Sequence, residues 1–198
     1  IKDKPLGRKE IKTSIISINK LSELIKWLIR KVKKKEKVFW ILPNIGIDDE
    51  IEQNQKVSIK ERYESLKKIL PDCVDFIHGK LSKNKIEKVV NDFKNGQIQV
   101  LISTTLVEVG FDIPEASLMI IEYANNFGLA QLHQLRGRVG RNNLESNCVL
   151  LYHNELSQEG KDRLLVMKNS NDGFYISAQD LKMRGSGEIF GTKQTGLP

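Results

Sequence analysis

Along the chain, short runs of apolar residues alternate with stretches in which apolar positions recur every three or four residues. The first helical stretch puts Leu21, Leu24, Ile25, Leu28, Ile29 and Val32 on one face, with lysines and Arg30 on the other. It runs into KVKKKEK, which reads as a solvated helix end. VFWILP follows as a buried strand closed by Pro43, then a polar stretch from Gly46 to Gln55, then a helix, IKERYESLKKIL, ending before Pro71. CVDFIHG is a strand, and SKNKIEKVVNDFKNG is a helix capped by Ser82 and stopped by Asn95-Gly96. IQVLIS is nearly continuous in apolar residues, the pattern of a strand buried on both faces. After a loop around Gly110–Pro114 come a strand, SLMIIEYA, a helix holding Gln131–Leu135, and a strand, NCVLLYH. Five strands alternating with helices predict right-handed crossovers and a mainly parallel sheet between helical layers.

This α/β domain is expected to span 1–153. Beyond it, ELSQEGKDRLLVMKNS and SAQDLKMRG read as two helices joined by NDGFY, where Asn-Asp-Gly supplies the turn. A glycine-rich tail, GSGEIFGTKQTG, follows. The segment 154–198 has too few apolar residues to fold alone and must pack on the sheet domain or on another part. The opening, IKDKPLGRKEIKTSIIS, reads as polar and loop-like until its first apolar run, and both ends are expected to be cut from something longer.

With 198 residues, 39% of them hydrophobic, the chain can bury the core of one domain plus an appendage. A net charge of +7 favours acidic partners: nucleic acid, nucleotide phosphates or an anionic membrane surface. A lysine-rich proteome explains the excess equally well. Cys73 and Cys148 sit in apolar runs without metal-ligand spacing, which predicts reduced thiols in the cytoplasm and no metal site. No apolar run approaches the roughly 18 residues of a membrane span, and no charged-then-apolar leader opens the sequence, so neither membrane insertion nor a signal peptide is expected.

The densest chemistry is QLRGRVGR, Gln134 to Arg141. Crowded guanidiniums repel one another until an anion is shared among them. If the helix carries through, Arg138 and Arg141 lie on one face, with Gln134 a turn behind. Such a face suits a triphosphate held elsewhere, because guanidiniums stabilise charge spreading onto a transferred phosphoryl group. It suits a nucleic-acid backbone as well. The chain shows no P-loop of its own: HGKLS lacks the second glycine and the adjacent hydroxyl, and GIDDE reads as a solvated loop rather than a magnesium site.

QLRGRVGR resembles motif VI of superfamily 2 helicases, and STTLVEVGFDIPEAS resembles their motif V. RLLVMKNSNDGFYISAQDLKMRGSGEIFGTKQTGLP is similar to the translocation motif of the RecG family of branched-DNA helicases. The resemblance covers nearly the whole chain. It implies a second RecA-like motor domain, a mainly parallel sheet sandwiched by helices, followed by a C-terminal helical hairpin and loop. It implies ATP and Mg2+ bound mainly by a preceding motor domain, branched DNA as substrate, and a wedge domain further upstream. Arg138 and Arg141 would be arginine fingers positioned with Gln134, and Gly110 and Asp112 would lie at the nucleotide edge. Thr104, Thr105, His78 and Gly79 would meet DNA phosphates, while Arg163, Arg184 and Gln194 would couple cleft closure to strand movement. Asp112 as a loop cap and His78 as a structural histidine remain open. Ser186, Lys193, Glu115 and Asn142 depart from the usual pattern, at positions without a chemical role. The transcription-repair coupling translocases share the hairpin, and a nucleic-acid-binding module without a motor, or a phosphotransferase with its own site, are the readings from other classes.

Overall fold

In the computed structural model, residues 10–43, 57–104, 116–140 and 145–191 are described, the last eight of them as backbone only. Six strands form one sheet in the order β1-β6-β5-β2-β4-β3, and every pairing in it is parallel. They are β1 (Lys12–Ser17), β2 (Val38–Leu42), β3 (Val74–Ile77), β4 (Val100–Thr104), β5 (Leu118–Glu122) and β6 (Asn147–Tyr152). Among the described residues the α-helices are α1 (Leu21–Lys33), α2 (Ile59–Ile69), α3 (Lys83–Lys94), α4 (Leu129–Arg136), α5 (Gln158–Asn169) and α6 (Gly173–Gly191).

Side chains alternate across a strand, and here both faces are covered. Phe39 and Ile41 of β2 join the core shared with α3, α4 and α5. Val38, Trp40 and Leu42 join the core shared with α1 and α2. That double burial is why the central strands read as unbroken apolar runs.

Three expectations change. IKTSIIS is not a loop: its residues 12–17 form an edge strand paired in parallel with β6. An edge strand buries only part of its surface, so its sequence stays half polar. Ser82 stands at the N-terminus of α3, but its side chain makes no capping bond; the capping box is on α2, where Ser58 and Glu61 bond reciprocally. The second hairpin helix begins at Gly173 rather than Ser177, because the Asp172 carboxylate accepts from Phe174 N and Tyr175 N and caps it there, and its backbone stays helical through the glycines to Gly191. Asn95-Gly96 does end α3, with Gly96 at φ +74°.

The hairpin packs on the sheet domain. Leu164, Met167 and Ile176 enter the same core as Leu129, Leu132 and Leu135 of α4. Phe174 remains 92% exposed and Leu181 74%.

Candidate functional site

Among the described residues, Thr104, His78 and Gly79 lie at one edge of the sheet, Gln134 and Arg138 on the segment that leads to the other, and Arg163 apart from both on α5. Thr104 ends β4, and β3 runs beside it with Ile77 opposite Ser103, so His78 arrives next to Thr104 at the C-terminal edge. Thr104 is 9% exposed, and its hydroxyl oxygen is buried without a partner among the described residues. The His78 Nδ1 accepts from Lys80 N at 3.2 Å, which leaves the proton of a neutral ring on Nε2. His78 also stacks on Phe76, so it holds its turn together while keeping one donor. Gly79 is exposed beside it.

The other group lies at the N-terminal edge. α4 stops at Arg136 with Gly137 as its cap, and Val139 then forms an isolated parallel bridge to Ala116, just ahead of β5. Helix continuity to Arg141, the condition for a shared arginine face, is therefore not met. Gly140 turns the chain at φ +77°, where a Cβ would stand 3.1 Å from Ile11 Cγ1. Arg138, one residue before the bridge, is exposed and meets no carboxylate among the described residues. Gln134 is exposed on α4. Five residues of strand at about 3.3 Å each separate the two edges by roughly 16 Å.

Arg163 on α5 pairs with Glu159 at 2.5 Å. It also donates to the carbonyls of Asn125 at 3.1 Å and Phe127 at 3.4 Å, in the turn that leads into α4. Thr105, Gly110, Asp112, Arg141 and Gln194 lie outside the described residues, as do the side chain of Arg184 and the GIDDE segment.

Two clusters escaped the sequence reading. Arg136, the first arginine of the octet, is only 2% exposed. Its Nη1 donates to Met167 O at 2.6 Å, Ser170 O at 2.8 Å and Thr13 Oγ1 at 3.3 Å, and its Nη2 lies 3.3 Å from His133 Nδ1. Burial lowers its pKa from the usual arginine value. The available signal was periodicity: Arg136 follows Leu129 and Leu132 on the apolar stripe of α4.

The second cluster surrounds Glu122, which is fully buried at the end of β5. Arg62 donates to it from Nε at 2.9 Å and from Nη2 at 2.5 Å. Trp40 Nε1 donates at 2.6 Å, and His153 Nε2 lies at 2.9 Å. Burial pushes this carboxyl up, yet the bonds from His153, Arg62 and Trp40 outweigh it and hold the group below the ordinary 4.5. A lone carboxylate in the apolar run LMIIEYA was the signal, since a buried charge needs partners.

The model of the helicase conserved C-terminal domain matches residues 18–143. The ATP-dependent DNA helicase RecG of Synechocystis sp. (strain ATCC 27184 / PCC 6803 / Kazusa) is 41% identical over 203 residues, covering 100% of this chain and 24% of that protein. A structure of RecG bound to a three-way DNA junction matches with TM-score 0.76 and 36% identity, over 94% of this chain and 24% of that one. The C-terminal domain of the DEAD-box protein Dbp5 matches at TM-score 0.54 and 17% identity, over 89% of this chain and 98% of that one, a likeness of fold alone. The chain thus spans about a quarter of the length of the RecG proteins it matches.

Proposed function

The chain belongs to the helicase conserved C-terminal domain family as a RecG-like member, and from that premise we propose that it is the second motor domain, with the translocation hairpin, of an ATP-dependent helicase that remodels branched DNA in the cytoplasm during recombination and repair. On this reading the motor domain occupies 1–153 and the hairpin and loop 154–198. ATP and Mg2+ are held mainly by a preceding motor domain, and a wedge domain upstream splits the branch.

The observation that carries the proposal is the placement of Arg138. Its charge is exposed at the N-terminal edge, beyond the last turn of α4, with no internal carboxylate among the described residues to neutralise it. A guanidinium left in this state is suited to an anion presented by a facing lobe. When the two lobes close, Arg138 and Arg141 reach the phosphates of the bound nucleotide and stabilise the charge of the transferred phosphoryl group. Gln134 orients them. Gly110 lets backbone approach the nucleotide, and Asp112 accepts from a ribose hydroxyl. The bound ATP·Mg2+ supplies the phosphoryl group and its counter-charge; the residues present supply cations and hydrogen bonds only.

At the far edge, the Thr104 and Thr105 hydroxyls, His78 Nε2 and the backbone at Gly79 contact DNA phosphates, which positions the duplex without reading its sequence. The unpartnered Thr104 hydroxyl supports that assignment, since a buried hydroxyl without a partner is costly unless a ligand fills its bond. Arg163, Arg184 and Gln194 carry the movement from cleft to DNA. Nucleotide at one edge and DNA at the other make the domain itself the lever between them.

The test is strand separation of a synthetic three-way junction by the intact protein. Unwinding that requires ATP supports the reading, and ATP-independent binding without unwinding assigns the chain to a binding module instead.

A further inference from the structure

The first arginine of the octet does not face a phosphate. Arg136 is enclosed between β1, α4 and the hairpin, and its partners are neutral: two carbonyls, a threonine hydroxyl and an imidazole nitrogen. No carboxylate pairs with it among the described residues. Its charge is balanced by position. Met167 O belongs to the last turn of α5 and Ser170 caps that helix, so the guanidinium occupies the negative end of the helix dipole and serves carbonyls that have no intrahelical donor.

The same guanidinium reaches the second hairpin helix through His133. Arg136 Nη2 meets His133 Nδ1, and the other ring nitrogen, Nε2, lies so close to Gly173 that a Cβ there would stand 3.0 Å away. Arg163 completes the arrangement from the opposite direction, donating from α5 to the turn that precedes α4. α4 and α5 are therefore fastened near both ends, each by an arginine from the other side.

We infer that Arg136 is a positioning residue that makes α4 and the hairpin move as one body, so that displacement of Arg138 is delivered to α6. Lifting the hairpin off α4 would strand a buried cation without its carbonyls, and a buried charge deprived of partners is strongly penalised. A lysine has no planar fork to hold several acceptors at once, so charge alone does not replace the guanidinium. This role rests on the motor reading for its consequence, but the fastening itself does not.

The experiment uses the intact protein with Arg136→Gln, Arg136→Lys and, as a control on the exposed face of α5, Lys168→Gln. Two quantities are read: junction unwinding per ATP hydrolysed, and amide hydrogen exchange at Ser170 and Ile176. In Arg136→Gln, DNA-stimulated ATP turnover persists while unwinding per ATP falls about tenfold, within the usual range of coupling between sites. Both amides exchange faster, Arg136→Lys is intermediate, and Lys168→Gln matches the parent. If Arg136→Gln does not fold, Arg136→Lys, which keeps the charge and loses the planar fork, carries the test. Turnover and unwinding that decline in proportion, or unchanged exchange at both amides, overturn the inference. A parent protein that neither hydrolyses ATP nor unwinds DNA sinks the motor reading instead, and the exchange data still decide whether Arg136 fastens the hairpin.

Discussion

Val139 pairs in parallel with Ala116, one strand-length away from Thr104. That single bridge fixes the residue before it, Arg138, at the N-terminal edge of the sheet, while Thr104 and His78 gather at the C-terminal edge. The separation has a mechanical meaning. On the proposed reading, a ligand drawn in at one edge would tilt the doubly covered sheet and carry the other edge with it.

Arg138 is exposed and contributes little to the fold. In the intact protein, Arg138→Ala is expected to lower kcat for ATP by about 10³-fold, the lower part of the range for an arginine finger, with the melting temperature unchanged. A steady-state ATPase assay beside a thermal melt checks both halves. Loss of melting temperature in step with activity would mean a structural arginine.

Gly140 needs its left-handed backbone at φ +77° and has Ile11 Cγ1 where a Cβ would go. Gly140→Ala should destabilise by about 1–2 kcal/mol from the backbone conformation alone. Chemical denaturation measures it. At Gly96, which shares the positive φ but has nothing within 4 Å of the would-be Cβ, the loss should be smaller.

Glu122 binds α2, β2 and the residue after β6 through one carboxylate. Removing its charge leaves Arg62 buried and unpaired, so Glu122→Gln should cost about 3–5 kcal/mol. The pH dependence follows from the lowered carboxyl pKa. Folding favours the ionised form, so the stabilisation is complete above the ordinary 4.5 and disappears as pH falls through the lower native value. Denaturation midpoints measured across that acid range should fall steeply in the parent and less steeply in Glu122→Gln.

Cys148 is wholly buried, and burial pushes its thiol up to about 12, whereas Cys73 is half-buried. A thiol reagent at neutral pH should therefore modify one cysteine of the folded protein at an appreciable rate, Cys73, with Cys148 reacting only after unfolding. Peptide mapping before and after denaturant gives the order.

The central strands were readable because burial on two faces writes an uninterrupted apolar run, as in VFWIL and LMIIE. β1 was not, because an edge strand with one neighbour can keep Lys12, Thr13 and Ser14. The C-terminus of α4 also eluded the sequence: local spacing put Arg138 and Arg141 on one helical face, whereas the pairing of Val139 with Ala116, a long-range contact, ends the helix first. Arg136 shows the reverse case. Its chemical kinship with Arg138 invited a shared role, but its position on the leucine stripe turned it inward, and burial decided the matter. Motif spacing named the candidate residues more readily than the edge of the sheet at which each one lies.

The account depends on Arg138 and Arg141 acting on a nucleotide that another lobe holds. The direct measurement is DNA-stimulated ATP turnover by the 198-residue chain alone and by the intact protein, each with and without Arg141→Ala. The prediction is no turnover by the chain alone, and turnover by the intact protein that collapses with Arg141→Ala. Hydrolysis by the chain alone that survives Arg141→Ala would contradict it.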